Sequence, residues 1–133
     1  FGMHNTPGLP VGKFAIRPGS MMAGGAFFDI DITGRGSHGA RPEESVDAVL
    51  VASHVVTSLQ AIVSRNITPT ATAVMSCTAI KSGDAYNVIP QTANIKGTAR
   101  TFSKDVMAQI EAAMRPSTSR PAAGSAARLR RRT

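Results

Sequence analysis

The stretch A-F-F-D-I-D-I-T, residues 26–33, decides the fold, because from Phe28 onward apolar side chains alternate with polar or acidic ones. Phe28, Ile30 and Ile32 fall on one face, and two aspartates and Thr33 fall on the other. Successive side chains of a strand point to opposite faces of its sheet, so the alternation predicts a half-buried β-strand. A Gly-Arg-Gly segment follows at once and is expected to end it.

Four further elements follow in the order helix, strand, strand, helix. We expect a helix over 46–65 capped by Ser45, a strand over 71–80, a strand over 92–101 and a helix capped by Ser103. The first helix has an apolar stripe at helical spacing, formed by Val49, Ala52, Val55, Val56, Leu59, Ile62 and Val63. The second strand–helix pair has inner faces of Ala93, Ile95, Ala99 and of Val106, Ile110, Ala113, Met114. This order predicts an α+β fold, with an antiparallel sheet and two helices on one face.

A ferredoxin-like β-α-β-β-α-β sheet needs one more strand after the second helix. Residues 116–133 have a biased composition with almost no large apolar side chains, so we expect the last strand to be missing or replaced. The abrupt change at Pro116 suggests a reading-frame shift or an aberrant end. The expected domains are 1–23 as a preceding segment and linker, 24–115 as the folded domain, and 116–133 as an aberrant or disordered basic tail.

The net charge of +7 is concentrated in that tail. Residues 1–114 hold nine basic and all eight acidic residues, so the remaining six arginines supply nearly all of the excess. Basic segments bind nucleic acid by neutralising phosphates, but these arginines lack interleaved aromatic residues and a neighbouring nucleic-acid-binding motif. A basic nucleic-acid-binding protein stays open as an alternative function.

Cysteine content and hydropathy bear on the compartment. Cys77 is the single cysteine, which excludes an internal disulfide and is typical of a reducing, cytoplasmic compartment. We interpret it as a small hydrophobic residue of the core. No apolar run approaches the ~20 residues that span a bilayer, so we expect no membrane partner. No targeting signal is visible at Phe1.

Residues 34–39, G-R-G-S-H-G, follow a strand and match the spacing of a dinucleotide-binding loop. That function requires a helix to open within the glycines and an acidic residue about 20 positions later. Pro42 follows instead, and no acidic residue lies between Asp47 and Asp84. The dinucleotide interpretation therefore fails.

Five segments, taken together, indicate a family more specifically than any one of them does alone. They are F-G-M-H-N-T-P-G-L-P-V-G (1–12), G-R-G-S-H-G-A-R-P (34–42), L-Q-A-I-V-S-R (59–65), N-V-I-P (87–90) and G-T-A-R-T-F (97–102). In this order and spacing they closely resemble the amidohydrolase branch of the dinuclear zinc peptidase family. That branch contains hippurate hydrolases, N-acyl amino acid amidohydrolases and auxin-conjugate hydrolases. The resemblance covers residues 1 to about 115 and implies a lid, or dimerisation, domain behind a short piece of catalytic domain.

The resemblance implies roles for two histidines. His4 matches a metal ligand that the catalytic domain contributes, and neutral imidazole is a good ligand for zinc. His38 matches a lid histidine that reaches across the dimer into the partner's active site and stabilises the developing oxyanion. The glycines beside His38 would let the loop project it without side-chain bulk. His54 on the first helix has no motif support, and we expect it to be structural.

Two polar residues are candidate substrate ligands by the same resemblance. Asn87 precedes the third strand and Arg100 lies on the polar face of that strand, and the matching positions hold substrate carboxylate or carbonyl groups. A guanidinium suits a carboxylate through paired hydrogen bonds. Asp29 and Asp31 share an outer face, but no acid–base partner is evident for them.

The expected function is thus that of a fragment of a metal-dependent amidohydrolase, one that cleaves N-acyl amino acids or related small peptides. The implied cofactor is a divalent metal, zinc or else manganese, cobalt or nickel, and the implied partner is a second copy of the chain. The family's other metal ligands and its paired glutamates are absent from the sequence. We therefore expect the isolated chain to bind no metal stably and to be inactive. A non-catalytic dimerisation or binding module stays open as an alternative.

Overall fold

The alternating stretch forms β1, Gly24–Thr33, in the interior of a four-stranded sheet. The computed structural model of the chain describes residues 2–119 and 124–132. After β1 come β2 (Ser37–His38), α1 (Ala48–Ala61), β3 (Ala73–Ser82), β4 (Val88–Ile89), β5 (Thr92–Thr101), α2 (Lys104–Ser119) and β6 (Ala126–Arg132). The main sheet has the order β3-β5-β1-β6, and its pairs are antiparallel. This is the predicted α+β architecture, with the strand order of a ferredoxin-like fold.

One apolar core lies between the sheet and the two helices. The inner faces of β1 and β5 and the inward faces of α1 and α2 meet there. The largest fully buried side chains are Ile30, Ile32, Leu59, Ile95 and Ile110. The predicted inner faces of both strands and of α2 are therefore confirmed.

β5 approaches β1 very closely at Gly97, which faces the ring of Phe28. A Cβ at this glycine would lie 2.1 Å from the ring tip of Phe28 and 2.5 Å from the carbonyl oxygen of Ser76. Only hydrogen fits this position, so the glycine makes room for the aromatic ring inside the sheet.

The start of α1 differs from the prediction. Asp47 is the N-cap, and its Oδ1 accepts hydrogen bonds from the amides of Val49 (2.8 Å) and Leu50 (3.1 Å). Ser45 instead closes a 3-10 turn, Pro42–Glu44, by donating its hydroxyl to the Pro42 carbonyl. Val49, expected in the apolar stripe, is 44% exposed, and Ala48 and Val51 are buried instead.

A last strand is present, because Ala126–Arg132 forms β6 along the free edge of β1; of the two expectations for this strand, missing or replaced, the first is wrong. Only one face of an edge strand needs apolar cover, and Ala127 and Leu129 supply it by packing against the core. On the other face Arg130 lies opposite Asp29, and its guanidinium is 2.7 Å from the Asp31 carboxylate. The acidic face of β1 thus matches an arginine-rich strand. α2 also continues to Ser119 through Pro116, past the expected boundary at residue 115.

The segment Ala48–Asn66 joins α1 to a π-helical turn, Ile62–Asn66. By length and composition alone its 19 residues could cross a membrane. One side of the helix packs in the core, where Val51, Val55 and Leu59 are buried. A core helix of an α+β domain passes the same test, so we draw no membrane function from it.

Candidate functional site

His38 is presented on a loop that is tied to the chain on both sides. The loop pairs with the β4 segment, where His38 lies opposite Val88 and the Gly39 amide donates to the Asn87 carbonyl at 2.7 Å. On its other side Arg35 and Val46 exchange backbone hydrogen bonds of 3.0 and 2.9 Å. Backbone hydrogen bonds on both sides therefore hold the loop in place, and the His38 imidazole on it is exposed.

The glycines of this loop avoid side-chain bulk where a neighbouring backbone segment comes close. Neither Gly34 nor Gly39 has a positive φ. A Cβ on Gly34 would lie 2.1 Å from the Val46 carbonyl oxygen, and one on Gly39 would lie 3.1 Å from the Asn87 carbonyl oxygen. They permit the close backbone approach that holds the loop in place.

The His38 ring is oriented by its own turn. The Ala40 amide donates to Nδ1 at 3.1 Å, so in the neutral ring Nδ1 is an acceptor and the hydrogen resides on Nε2. Nε2–H is then an outward donor, which is what an oxyanion requires. The sequence did not reveal this contact, since a backbone amide has no side-chain signature.

His4 has the opposite arrangement. Its Nδ1 faces the carbonyl oxygen of Asn5 at 2.5 Å, so Nδ1 carries the hydrogen and Nε2 keeps its lone pair. Metal-ligating histidines commonly donate their other ring N–H to a backbone carbonyl in this way. His4 is exposed in the segment before β1 and fits the chemistry of a metal ligand.

One ligand is too few for a hydrolytic metal site, which takes about three protein ligands. In residues 2–119 and 124–132, no three His, Cys, Asp or Glu side chains come together as a possible metal site. The described residues therefore do not form a complete metal centre.

The structure brings His38 and Asn87 together but separates both from Arg100. His38 and Asn87 lie beyond the end of the sheet where Thr33 pairs with Thr92. Arg100 pairs with Gly25 at the other end. Arg100 lies eight positions after Thr92 in β5, which is about 27 Å along a strand. The expected substrate residues thus form two groups within one chain.

Arg100 is itself held in place. Its guanidinium lies 5.2 Å from the centroid of the Phe27 ring and donates to the Thr98 hydroxyl and the Ala99 carbonyl. A Cβ on Gly25 would lie 2.6 Å from its Nη1, so the guanidinium rests flat across that glycine. A stacked arginine keeps other N–H groups available for a carboxylate.

Two other residues considered from the sequence, Cys77 and His54, lie on β3 and α1. Cys77 is half-buried on β3 and packs against the core, and burial raises the pKa of its thiol. His54 is exposed on the outer side of α1.

Comparison with known proteins agrees with this architecture. Residues 22–120 match the family model of the M20 peptidase dimerisation domain. The chain is 42% identical over 115 residues to the N-acetylcysteine deacetylase of Bacillus subtilis, covering 86% of this chain and 30% of the relative. It is 41% identical over 105 residues to the hippurate hydrolase of Campylobacter jejuni, covering 79% and 27%.

A solved structure shares the fold. The YXEP protein of Bacillus subtilis, a dinuclear metal binding peptidase of the M20 family, superimposes with a TM-score of 0.70 at 31% identity over 96% of this chain and 31% of its own. The chain thus spans about a third of the length of these relatives. On the match of residues 22–120, the chain belongs to the dimerisation domain family of the M20 peptidases.

Proposed function

We propose that this chain is the dimerisation lid of a metal-dependent amidohydrolase that cleaves N-acyl amino acids. The main support for the proposal is the oriented Nε2–H of His38, on a loop that backbone hydrogen bonds hold on both sides. Amide hydrolysis develops negative charge on the former carbonyl oxygen, and a preorganised donor stabilises that charge. The relatives named above act on an N-acetyl amino acid and on hippurate, according to their names.

The ends of the sheet suggest which active site each residue serves. The chain enters β1 at Gly24, beside Thr101, and Arg100 lies at this same end. The preceding segment with His4 therefore joins the lid next to Arg100, and His38 lies about 30 Å away along the strands. We propose that Arg100 binds the substrate carboxylate in the active site of its own subunit. His38 and Asn87 then act in the active site of a partner subunit.

A second copy of the chain is the proposed partner, and the two edges of the sheet differ in their fitness to receive it. The β6 edge carries four arginines within 126–132, and charges on an edge strand oppose pairing with another chain. The β3 edge exposes Val74, and α1 beside it exposes Leu50. No Asp, Glu, Lys or Arg lies between 48 and 64. Of the two edges, β3 is therefore the more receptive one, since β6 covers β1 and carries the arginines. A symmetric dimer would use the β3–α1 side.

A chimera tests the function directly. Residues 24–132 replace the dimerisation domain of the Campylobacter jejuni hippurate hydrolase, and hippurate hydrolysis is measured with zinc, manganese or cobalt. We expect the chimera to hydrolyse hippurate, and His38→Ala to lower kcat about 100- to 1,000-fold, as for other lost oxyanion donors. His54→Ala is the matched control and should leave kcat unchanged. An active His38→Ala chimera would refute the proposed role.

The isolated chain is the complementary test. With one candidate ligand and no metal cluster among the described residues, it should not hydrolyse N-acyl amino acids. Turnover well above a His4→Ala control would contradict this expectation.

We further propose a cytoplasmic location, which the single cysteine supports.

A further inference from the structure

The turn that carries His38 is closed by backbone and side-chain contacts together. The Arg41 amide donates to the His38 carbonyl at 2.8 Å, which makes residues 38–41 a tight turn. Pro42 follows, and a residue before proline is kept out of the helical region, so the turn cannot continue as a helix. Arg41 has φ −129° and ψ 61°, outside that region.

Ser37 braces this turn from the preceding position. Its hydroxyl lies 3.0 Å from the Arg41 carbonyl and 3.2 Å from the His38 carbonyl, and it can donate its one hydrogen to either. The two acceptors are the carbonyls of the first and last residues of the turn. The Ser37 side chain thus lies against both ends of the turn in which the Ala40 amide is 3.1 Å from Nδ1 of His38.

We propose that Ser37 is a positioning residue for His38, whose hydroxyl holds the 38–41 turn so that the Ala40 amide keeps the ring hydrogen on Nε2. A rotated turn would withdraw the Ala40 amide, and Nδ1 would then compete for the ring hydrogen. In that tautomer Nε2 carries a lone pair, which repels an oxyanion. The catalytic use of this arrangement rests on the proposed function, whereas the tautomer itself does not.

The tautomer can be measured on the full chain without metal, substrate or dimer. The probe is the ¹H–¹⁵N correlation spectrum of the imidazole rings, recorded at a pH where the rings are neutral. Each ring nitrogen then reports whether it bears hydrogen. His4 and His54 are references in the same spectrum, because His4 donates from Nδ1 and His54 is exposed on α1.

We expect wild-type His38 to be in the Nε2–H form, and Ser37→Ala to move it toward the tautomer distribution of His54. Ser37→Thr keeps a hydroxyl and should restore the wild-type pattern. Ser53→Ala is the matched control, because it removes a hydroxyl bonded to the Val49 carbonyl at 2.9 Å on α1. It should leave His38 unchanged.

Two results overturn the proposal: a wild-type His38 with hydrogen on Nδ1, or a Ser37→Ala spectrum identical to wild type. If amide spectra show that Ser37→Ala unfolds the domain, Ser37→Cys takes its place, since a thiol has similar size but donates weakly. Loss of hydrolysis in the chimera with a normal His38 tautomer would count against the proposed function and not against the role of Ser37.

Discussion

The amide of Ala40 lies 3.1 Å from Nδ1 of His38, and this contact determines which nitrogen of the ring faces outward as a donor. Nδ1 of His4 faces a carbonyl instead, so its Nε2 is left as an acceptor. One chain therefore holds a histidine suited to an oxyanion and another suited to a metal ion. Backbone groups, not side chains, make the distinction.

The first prediction concerns the cap of α1. Asp47→Ala removes the acceptor of two amide hydrogen bonds and should lower the free energy of unfolding by about 1 kcal/mol. Ser45→Ala leaves the helix cap intact and should stay within about 0.5 kcal/mol of wild type. Urea denaturation of both variants measures the difference. A larger loss from Ser45→Ala would show that the helix begins where the sequence first indicated.

The second prediction concerns β6. Because its backbone pairs with β1, the amides of β6 that bond to β1 should exchange with solvent more slowly than those of residues 5–20, which lie in no helix or strand. Hydrogen exchange followed by NMR measures both segments in one sample. Equal, rapid exchange in the two would contradict the strand and support a disordered tail.

The third prediction concerns Cys77. Burial raises the pKa of its thiol, so at a given pH less thiolate is present than for an unburied cysteine. Alkylation by iodoacetamide should therefore reach half its maximal rate at a higher pH in the folded chain than in the chain unfolded in urea. By linkage, the contribution of this thiol to stability is present below the unfolded pKa and lost as the pH rises through the folded one. Identical rate profiles would contradict this.

The fourth prediction concerns the dimer. Leu50→Lys places a charge on the exposed apolar side of α1 and should weaken self-association, whereas Gln109→Lys on the exposed side of α2 should not. Sedimentation velocity over a concentration series measures the dimer fraction for both variants and for wild type. A wild-type chain that stays monomeric at high concentration excludes the dimer, and open-ended growth indicates aggregation instead.

The sequence predicted the elements with alternating or helical periodicity, and the structure confirms them within a few residues. Strand β5 was predicted with the observed bounds, Thr92–Thr101, since its two faces differ in polarity along its whole length. Strand β6 was missed because its partner is distant in sequence: it pairs with β1, where Asp31 forms an ion pair with Arg130, and a local pattern does not show such complementarity.

The sequence named candidate site residues but not their arrangement. His38 and Asn87 were expected as separate candidates, and the backbone bond from Gly39 to Asn87 unites them. Arg100 was a further candidate, and β5 places it at the far end of the sheet. Distances along a strand follow from the register, and the register depends on the whole sheet.

In the proposed dimer, the two ends of the lid serve different active sites. This assignment is examined by mixing two inactive chimeras of the hippurate hydrolase, one with His38→Ala and one with Arg100→Ala, and measuring hydrolysis by the heterodimer. If Arg100 acts in its own subunit and His38 in the partner's, one of the two sites has both residues intact. Hydrolysis should then return to about half the wild-type activity per dimer. A heterodimer as inactive as its parents would contradict this assignment, since it would mean that His38 and Arg100 of one subunit act in the same active site.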